Sequence, residues 1–481
     1  MAALDDLATI FSTQSTPPQP PETFLSSHLG VPSVSVAVLD KGSISARCFS
    51  TLGDDEHTRF QAASISKPTA ATAMMRLVAQ GKLSLDDKVM HHLPEELLDI
   101  LGPRHILAEI TLRHLLTHTA GFRTAAYSGY AGQEYPSALD TLMDLNGGHN
   151  VPERLTGFPG QEHAYCGGGF AMLQIILEKV FQRGFAELMQ ELVFDPLGMQ
   201  DSTYEAPDFN DKSTGGKFAR SWWTGTQKHD TPWHHHPELA SGGLWTTPTD
   251  LLKLIRGIQQ SLKDDAPEEE RFLPKDVAKE MLTQVQTGVA VSWFVSRKKG
   301  NVFGHFGGNS PCFRCYVVGF ANPTGNVDSR DVAEGCGVAV MTNGLEGTDV
   351  CCKVVHAVAH TRGWPYVGTL EHIQEISVPV KDASRKIDQR WEEWMGDWEG
   401  RWKIEKGPEG APMARFGGLP ALRLVPVAMP AERGEDGGMS VDLLVEGLQV
   451  MLRLHVKERR RAVEVWSGLT LRAEGLKRKG E

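Results

Sequence analysis

The stretch Phe60-Gln61-Ala62-Ala63-Ser64-Ile65-Ser66-Lys67 stands directly before an amphipathic segment of the chain. Apolar residues recur at helical spacing over residues 68–80, and Gly81 stands where such a helix would end, so the pattern predicts a helix. Ser64 and Lys67 then belong to its first turn. Side chains three residues apart on a helix share a face, with Cβ atoms about 5–6 Å apart. The sequence therefore predicts that the amine of Lys67 reaches the hydroxyl of Ser64.

A serine and a lysine in this arrangement are suited to nucleophilic catalysis, because an adjacent base activates the attacking hydroxyl. The free N–H groups and the dipole at a helix N-terminus favour developing negative charge. To act as a base, Lys67 must first lose a proton near neutral pH, which burial or neighbouring cations favour. A second Ser-x-x-Lys pair, Ser296 and Lys299, falls in a basic turn between predicted strands, where the lysine would be solvated.

The length and charge of the chain limit what the protein can be. Its 481 residues predict a large domain and a smaller one, since single cores stop growing near about 250–300 residues. A formal net charge of -11 argues against a nucleic-acid partner, which requires clustered Lys and Arg. The first residues lack a basic region ahead of an apolar stretch, and no segment reaches the roughly 18 apolar residues of a membrane span. We therefore expect a soluble, cytoplasmic protein with no membrane partner.

Cysteine and histidine spacing gives no metal-site signature. Seven cysteines without a secretion signal are typical of reduced thiols. Cys312-x-x-Cys315 and Cys351-Cys352 lack a second pair that would complete four metal ligands. The three consecutive histidines at 234–236 point in different directions on most backbones, which favours a solvated loop. We expect neither a metal nor another cofactor.

Strand patterns lie early and late in the first three quarters of the chain, with helical patterns between them. Residues 31–39 and 43–50 predict a hairpin, and residues 170–183 predict a helix. Later strands are predicted at 289–295, 302–306, 313–320 and 337–342, followed by a helix at 350–360. This order predicts an α/β fold of the α+β sandwich type, in which an antiparallel sheet is flanked by helices and a helical subdomain is inserted between its strands.

The last part of the chain has a different composition. A polar, charged stretch ends near residue 390, and short apolar strands follow at 422–427, 439–445, 448–456 and 462–471. Short strands separated by turn residues predict a small C-terminal antiparallel β-barrel. The predicted organisation is an N-terminal extension at 1–27, a catalytic domain at 28–370, a linker at 371–390 and the barrel at 391–481.

Two further segments contain candidate site residues. Tyr165 lies in a glycine-flanked turn, His163-Ala164-Tyr165-Cys166-Gly167-Gly168-Gly169, ahead of a predicted helix; a packing aromatic with a satisfied hydroxyl is the alternative. His305 precedes Phe306, Gly307 and Gly308 at the end of a predicted strand. Two glycines there let a substrate lie against the strand edge, although a histidine in such a place is otherwise a surface residue.

Five blocks of sequence match one known protein family in the same order. They are Phe60-Gln61-Ala62-Ala63-Ser64-Ile65-Ser66-Lys67, Leu83-Ser84-Leu85-Asp86-Asp87-Lys88-Val89, Ile110-Thr111-Leu112-Arg113-His114-Leu115-Leu116-Thr117-His118-Thr119-Ala120-Gly121, Asp195-Pro196-Leu197-Gly198-Met199 and Ala240-Ser241-Gly242-Gly243-Leu244-Trp245. Over about residues 31–364 the chain resembles the class C β-lactamases, their esterase and D-aminopeptidase relatives, and the low-molecular-weight penicillin-binding proteins. The C-terminal barrel, opening on Gly396-x-Trp398, resembles the lipocalin-like appendage of some peptidase relatives.

The resemblance implies roles for individual residues. Ser64 matches the acylated nucleophile, Lys67 and Tyr165 match the proton-transfer pair, and His305 matches the lysine of the family's K-T-G strand. The implied oxyanion hole consists of the backbone N–H groups of Ser64 and Gly308. The family mechanism is covalent: the substrate acylates the serine, and water or another nucleophile then releases the acyl group.

Two departures from the family pattern affect the expected substrate. Gly167 stands where the family's Y-x-N motif has an asparagine that helps to hold the substrate. His305 replaces a lysine and is expected to be only partly charged near neutrality. A penicillin carboxylate thus loses its most reliable anchor, and esterases and amidases that resemble this family often share the H-x-G form. We therefore expect hydrolysis of small esters or amides rather than efficient antibiotic breakdown.

Nearby tryptophans, including Trp233 and Trp245, are candidates for lining an apolar acyl pocket, with core packing as the alternative. The expected partner is a small-molecule substrate. Three functions remain open from the sequence: a serine hydrolase of small esters, amides or lactams, an acyltransferase that uses the same acyl-enzyme, and a non-catalytic binding protein on this fold.

Overall fold

The structure is a computed structural model that describes most of the chain in two compact units, Met1–Tyr366 and Val367–Glu481. The residues it does not describe are 1, 16, 125, 146–149, 162, 209–216, 286–287, 297–301, 321–334, 365–388, 399–401, 408–409, 417–420, 427–439, 446–449, 458–459, 468–469 and 477–481. The predicted linker at 371–390 therefore lies almost entirely outside the described residues.

The described helices and strands follow the α+β order expected from the sequence. The helices are α1 (Ala2–Thr13), α2 (Pro21–Leu29), α3 (Ser66–Ala79), α4 (Glu95–Leu101), α5 (Arg104–Leu107), α6 (Leu112–Leu116), α7 (Ala138–Met143), α8 (Gly168–Phe181), α9 (Phe185–Met189), α10 (Asp195–Leu197), α11 (Leu239–Gly242), α12 (Pro248–Leu262), α13 (Lys275–Met281) and α14 (Gly347–Thr361). Short 3-10 helices span Ala63–Ile65, Val89–His91, Glu268–Glu270 and Gln389–Trp394, and a π-helical turn spans Gln190–Phe194.

The strands are β1 (Ser33–Asp40), β2 (Ser43–Ser50), β3 (Phe60–Gln61), β4 (Trp245–Thr246), β5 (Phe294–Ser296), β6 (Val302–Asn309), β7 (Phe313–Phe320), β8 (Gly337–Thr342), β9 (Gly396–Asp397), β10 (Trp402–Lys406), β11 (Pro412–Phe416), β12 (Leu422–Pro426), β13 (Ser440–Val445), β14 (Val450–Lys457), β15 (Arg460–Ser467) and β16 (Thr470–Leu476).

A six-stranded antiparallel sheet forms the centre of the first unit, in the order β2-β1-β8-β7-β6-β5. The early strand β1 lies between β2 and the late strand β8, with Val34 opposite both Phe49 and Thr342. Segments that are far apart in sequence thus share one sheet. The prediction of an antiparallel sheet with an inserted helical region is confirmed.

The two faces of this sheet are covered by different helices. Leu252 and Ile255 of α12 belong to the same buried cluster as Ala339 and Met341 of β8. The alternating residue Val340 is also fully buried, and the thiol of Cys351 on α14 lies 3.8 Å from its carbonyl oxygen. Because successive side chains of a strand point to opposite faces, this alternation gives a helix-sheet-helix sandwich.

Residues 1–27, predicted as an N-terminal extension, form most of two helices that are part of the first unit. Phe11 of α1 contacts Phe24 of α2 and Phe49 of β2, with ring centroids 6.5 and 6.0 Å apart. All three rings are buried. Apolar residues on one face of each helix explain why this segment is part of the core.

The predicted strand at 289–295 is wrong for most of its length, since β5 covers only Phe294–Ser296. Ala290 donates its N–H to the carbonyl of Trp293 at 2.9 Å, and Ser292 has a φ of 62°. A tight turn therefore replaces the strand, and apolar composition alone did not distinguish the two.

The second unit contains an eight-stranded antiparallel meander in the order β16-β15-β14-β13-β12-β11-β10-β9. Trp391, Trp394 and Trp398 are buried together with Ile404 and Leu452. Among the described residues no pairing joins β9 to β16. The predicted strands at 422–427, 439–445 and 448–456 correspond to β12, β13 and β14, whereas the predicted strand at 462–471 is wrong, because it spans the antiparallel strands β15 and β16. Closure into a barrel stays a prediction. None of the described helices is at once long and apolar enough to cross a lipid bilayer.

Candidate active site

Ser64 is presented by a short, constrained segment between β3 and α3. The pairing of β3 with β4 continues into a 2.8 Å hydrogen bond from the Ala62 N–H to the Leu244 carbonyl. Ala63 then adopts a φ of 49°, a left-handed conformation that costs an alanine about 1–2 kcal/mol. Ser64 follows in a 3-10 turn and is partly exposed. The strained residue turns the serine out of the strand and makes its hydroxyl accessible.

Lys67 reaches Ser64 as the sequence predicts. Its ammonium nitrogen donates to the Ser64 hydroxyl at 3.1 Å and to the Ser241 carbonyl at 2.8 Å. The side chain is 1% exposed, and no described carboxylate lies within ion-pair distance of its nitrogen. This lysine therefore joins the nucleophile to the segment that contains α11.

Strand β6 lies directly against the segment that precedes Ser64. A Cβ at Gly307 would lie 2.3 Å from the Ala62 carbonyl oxygen and 2.4 Å from the sulfur of Cys315, so only glycine fits. In the described residues, β5 pairs with β6 only as far as Gly304, and Gly308 is exposed. The end of β6 beside Ser64 thus offers an open strand edge.

The ring of Tyr165 lies beside the Lys67 nitrogen. The Lys67 nitrogen is 5.0 Å from the centre of the Tyr165 ring. Its ring also contacts His118, His305 and Phe294, with centroids 4.6, 6.0 and 6.3 Å away. The Tyr165 hydroxyl makes no hydrogen bond with any described residue, so the structure brings the ring to the site without fixing a proton path.

His305 is placed beside Tyr165, but its charge differs from the expectation. The ring is 2% exposed. Burial, reinforced by the positive charge of Lys67, lowers the pKa of His305 to about 3. The prediction that the His305 ring is partly charged near neutrality is therefore wrong, because the ring is uncharged. Its Nδ1 lies 2.5 Å from the Phe306 carbonyl oxygen and must donate there, which leaves Nε2 as an acceptor.

Asn309 and Gln61 brace the site and were not identified from the sequence. The Asn309 amide donates to the Gln61 side-chain oxygen at 3.0 Å and to the Gly242 carbonyl at 2.9 Å. The Gln61 amide in turn donates to the His234 carbonyl at 2.8 Å. These bonds connect β6, β3 and α11 around the nucleophile. The sequence signal for Gln61 was its position in the same family block as Ser64, whereas no sequence signal pointed to Asn309.

His118 is the other site residue that sequence reasoning did not single out. It is 3% exposed, and its ring lies between those of Tyr165 and Phe170, at centroid distances of 4.6 and 5.3 Å. Burial, Lys67 and the neighbouring histidines hold the pKa of His118 well below its usual value. Its position within the third sequence block was the signal for it.

The remaining candidates are less directly involved. Gly167 caps the N-terminus of α8, and its N–H donates to the Thr124 carbonyl at 2.7 Å. Trp233 and Trp245 are 6% and 2% exposed and contact each other edge to face at 5.3 Å. Trp245 also packs on Phe313 at 5.6 Å. Core packing, the stated alternative, accounts for both tryptophans.

The expectation of a solvated loop at residues 234–236 is wrong for two of the three histidines. His235 and His236 are 4% and 5% exposed, and His236 Nδ1 lies 2.8 Å from the carboxylate of the equally buried Glu238. The reason is that this segment packs beneath the site. Within the described part of the chain, no group of three or more His, Cys, Asp or Glu side chains is arranged to hold a metal.

The chain belongs to the beta-lactamase family, whose family model matches residues 22–358. Esterase EstB of Burkholderia gladioli is 35% identical over 158 residues, which is 30% of this chain and 38% of that protein. The D-alanyl-D-alanine-carboxypeptidase/endopeptidase AmpH of Escherichia coli K12 is 26% identical over 42% of this chain and 49% of that protein. The chain spans between about a third and three fifths of the length of the first curated relatives it matches.

A solved structure matches most of the length of this chain. The octameric penicillin-binding protein homologue of Pyrococcus abyssi matches with a TM-score of 0.55 and 19% identity, over 93% of this chain and 96% of that one. The family model confirms the family resemblance seen in the sequence, whereas structural similarity at this low identity shows the fold alone.

Replacing Gly307 by alanine tests the contact between β6 and the Ser64 segment. We expect a loss of about 1–3 kcal/mol in the free energy of unfolding, because the added methyl group has no space. Gly308→Ala is the control for stability, since its Cβ would meet only the Arg314 side chain at 3.5–3.9 Å. Urea denaturation of both variants measures the difference, and equal stability would contradict the described packing.

Acid titration tests the buried neutral state of His305. Its pKa is about 3 in the folded protein and about 6.5 when unfolded, so below pH 6.5 only the unfolded state takes up the proton and stability falls. From pH 7 to pH 5 we expect His305 to contribute a loss of about 2 kcal/mol. Urea titrations of wild type and His305→Gln measure this as a shallower pH dependence in the variant. Parallel curves would show that His305 is not buried as a neutral ring.

Proposed function

We propose that this protein is a serine hydrolase that forms an acyl-enzyme at Ser64 and acts on small, uncharged esters or amides. The observation that carries the proposal is the 3.1 Å contact between the Lys67 nitrogen and the Ser64 hydroxyl, beside an open strand edge. Nucleophilic catalysis by a serine requires a basic nitrogen next to the serine hydroxyl.

In the first step the neutral amine of Lys67 takes the proton of the Ser64 hydroxyl as the serine oxygen attacks the substrate carbonyl. Lys67 retains its hydrogen bond to the Ser241 carbonyl at 2.8 Å, which holds the nitrogen in place during the transfer. Tyr165, whose ring centre lies 5.0 Å from this nitrogen, passes the proton to the leaving alcohol or amine. Water then attacks the acyl group, and the same two residues act in reverse.

The developing oxyanion is held by the N–H groups of Ser64 and Gly308. Ser64 lies in the turn that leads into α3, where backbone N–H groups face the site and favour negative charge. Gly307 lets β6 approach the Ser64 segment closely, which supports the position of Gly308. Such a donor typically contributes about 10²–10³ in rate.

The neutral state of His305 supports an uncharged substrate. Where the family's lysine would attract a carboxylate, this buried ring has a pKa of about 3 and is neutral. An anionic group therefore finds no positive charge on His305 to pair with. Among the relatives, EstB is named an esterase and AmpH a carboxypeptidase/endopeptidase, and ester or amide chemistry at this site agrees with both.

The acyltransferase alternative uses the same acyl-enzyme and differs only in the second nucleophile. The open edge at Gly308 admits an alcohol or an amine as readily as water. Adding an alcohol or an amine to the ester assay distinguishes the hydrolase from the acyltransferase. A transfer product formed in preference to the free acid would favour the acyltransferase.

Hydrolysis of a chromogenic short-chain ester beside a chromogenic cephalosporin tests the proposal. We expect ester turnover that falls by at least about 10³-fold in Ser64→Ala, with the ester favoured over the anionic cephalosporin because His305 is neutral. Circular dichroism of Ser64→Ala provides the control for folding. Ester turnover that survives in this variant would overturn the mechanism, and dominant cephalosporin turnover would overturn the substrate class. Absence of turnover and of labelling by a serine-directed phosphonate would favour the binding-protein alternative.

A further inference from the structure

We propose that His118 is a positioning residue for Tyr165, holding this tyrosine where it exchanges protons with Lys67. The inference rests on the proposed function and adds to it a residue outside the proposed proton-transfer pair. Three separate contacts between His118 and residues 164–166 carry the argument.

The contacts of His118 enclose Tyr165 on both sides. The Ala164 N–H donates to the His118 carbonyl at 2.8 Å. The Cys166 N–H donates to His118 Nδ1 at 3.1 Å. Between these two bonds, the imidazole lies against the Tyr165 ring at 4.6 Å with an interplanar angle of 36°. One residue thus binds the backbone before and after the tyrosine and contacts the tyrosine itself.

An unusual backbone conformation makes this possible. His118 has a φ of 56°, in the left-handed region that residues other than glycine rarely adopt. Its own N–H donates to the Leu115 carbonyl at 3.2 Å, which continues from α6. The left-handed turn directs both the carbonyl and the imidazole of His118 to the 164–166 segment. Strain of this kind is retained where surrounding contacts require it, and it is common at active sites.

The hydrogen bonds also fix the protonation state of the ring. Because Nδ1 accepts from Cys166, it carries a lone pair, and the proton of the neutral ring must lie on Nε2. The nearby charge of Lys67 and the burial of the ring favour this neutral form. Nε2 is buried and donates to no described residue. A buried donor without an acceptor is costly, so packing stability alone does not explain a histidine here.

These three contacts of His118, called the clamp below, hold Tyr165 in position because the other contacts that the structure shows for its side chain are weak. Its hydroxyl is hydrogen-bonded to no described residue, and its ring also contacts those of Phe294 and His305, at centroid distances of 6.3 and 6.0 Å. The ring nevertheless lies 5.0 Å from the Lys67 nitrogen. Since a displacement of about 1 Å can cost 10²-fold in rate, loss of the clamp is expected to slow proton transfer.

The decisive substitutions are His118→Phe and His118→Asn. Phenylalanine keeps a ring against Tyr165 but cannot accept from the Cys166 N–H, so acylation should slow by about 10- to 100-fold. Asparagine offers a side-chain oxygen near the position of Nδ1 and tolerates positive φ, so it should retain most of the rate. Pre-steady-state acylation by a chromogenic ester is measured below the melting temperature of every variant. KM for the ester should change little, because His118 does not contact the substrate.

A double-mutant cycle separates positioning from general damage. If His118 acts through Tyr165, His118→Phe should change the acylation rate by less than about twofold in a Tyr165→Phe background. Phe170→Leu is the packing control, since Phe170 contacts the same imidazole at 5.3 Å but makes none of its hydrogen bonds; it should lower the melting temperature with a smaller effect on rate.

Each outcome either supports or overturns the assignment. A slow His118→Phe, a fast His118→Asn and the loss of the effect in Tyr165→Phe support it. Equal rates for wild type and His118→Phe, or the full effect persisting without the Tyr165 hydroxyl, overturn it. Failure of the wild type to be acylated at Ser64 would instead overturn the proposed function, so the two failures are distinguishable.

Discussion

The two hydrogen bonds of the Lys67 nitrogen organise the rest of the site. They connect the Ser64 hydroxyl at the start of α3 with the Ser241 carbonyl of α11, two segments that are far apart in sequence. The side chain is almost completely buried, so the surrounding helices must enclose it. The sandwich of sheet and helices provides this enclosure, and the open edge of β6 is the side from which Ser64 stays accessible.

Local sequence patterns predicted several of the longer and more regular elements of the main fold, although helix α12 (Pro248–Leu262) was missed. The hairpin of β1 and β2, helices α3 and α8 and strands β7 and β8 were each marked by clear periodicity and by turn residues. The failure at residues 289–293 has a simple cause: an apolar run does not distinguish a strand from a buried turn. In the second unit the meander followed from the pattern, whereas closure depends on pairing between distant strands that no local signal encodes.

The candidate site was predictable where its residues lie within family motifs. Ser64, Lys67 and Tyr165 come together as their motifs imply, although Ser64 lies in the 3-10 turn before α3 and not in the first turn of the helix as predicted. The charge of His305 was not predictable, because it depends on complete burial and on the proximity of Lys67. His118 and Asn309 were missed for a related reason. Their importance comes from hydrogen bonds to the backbone of other segments, and such long-range bonds leave no trace in the spacing of one sequence.

The central claim is that Ser64 becomes acylated, and mass spectrometry of a rapidly quenched reaction tests it most directly. The protein is mixed with an activated short-chain ester for a single turnover, quenched in acid, and analysed intact and after proteolysis. The account predicts a mass increase equal to one acyl group, located on the peptide that contains Ser64 and absent from Ser64→Ala. Ester hydrolysis without an adduct at Ser64, or with an adduct on another residue, would contradict the account.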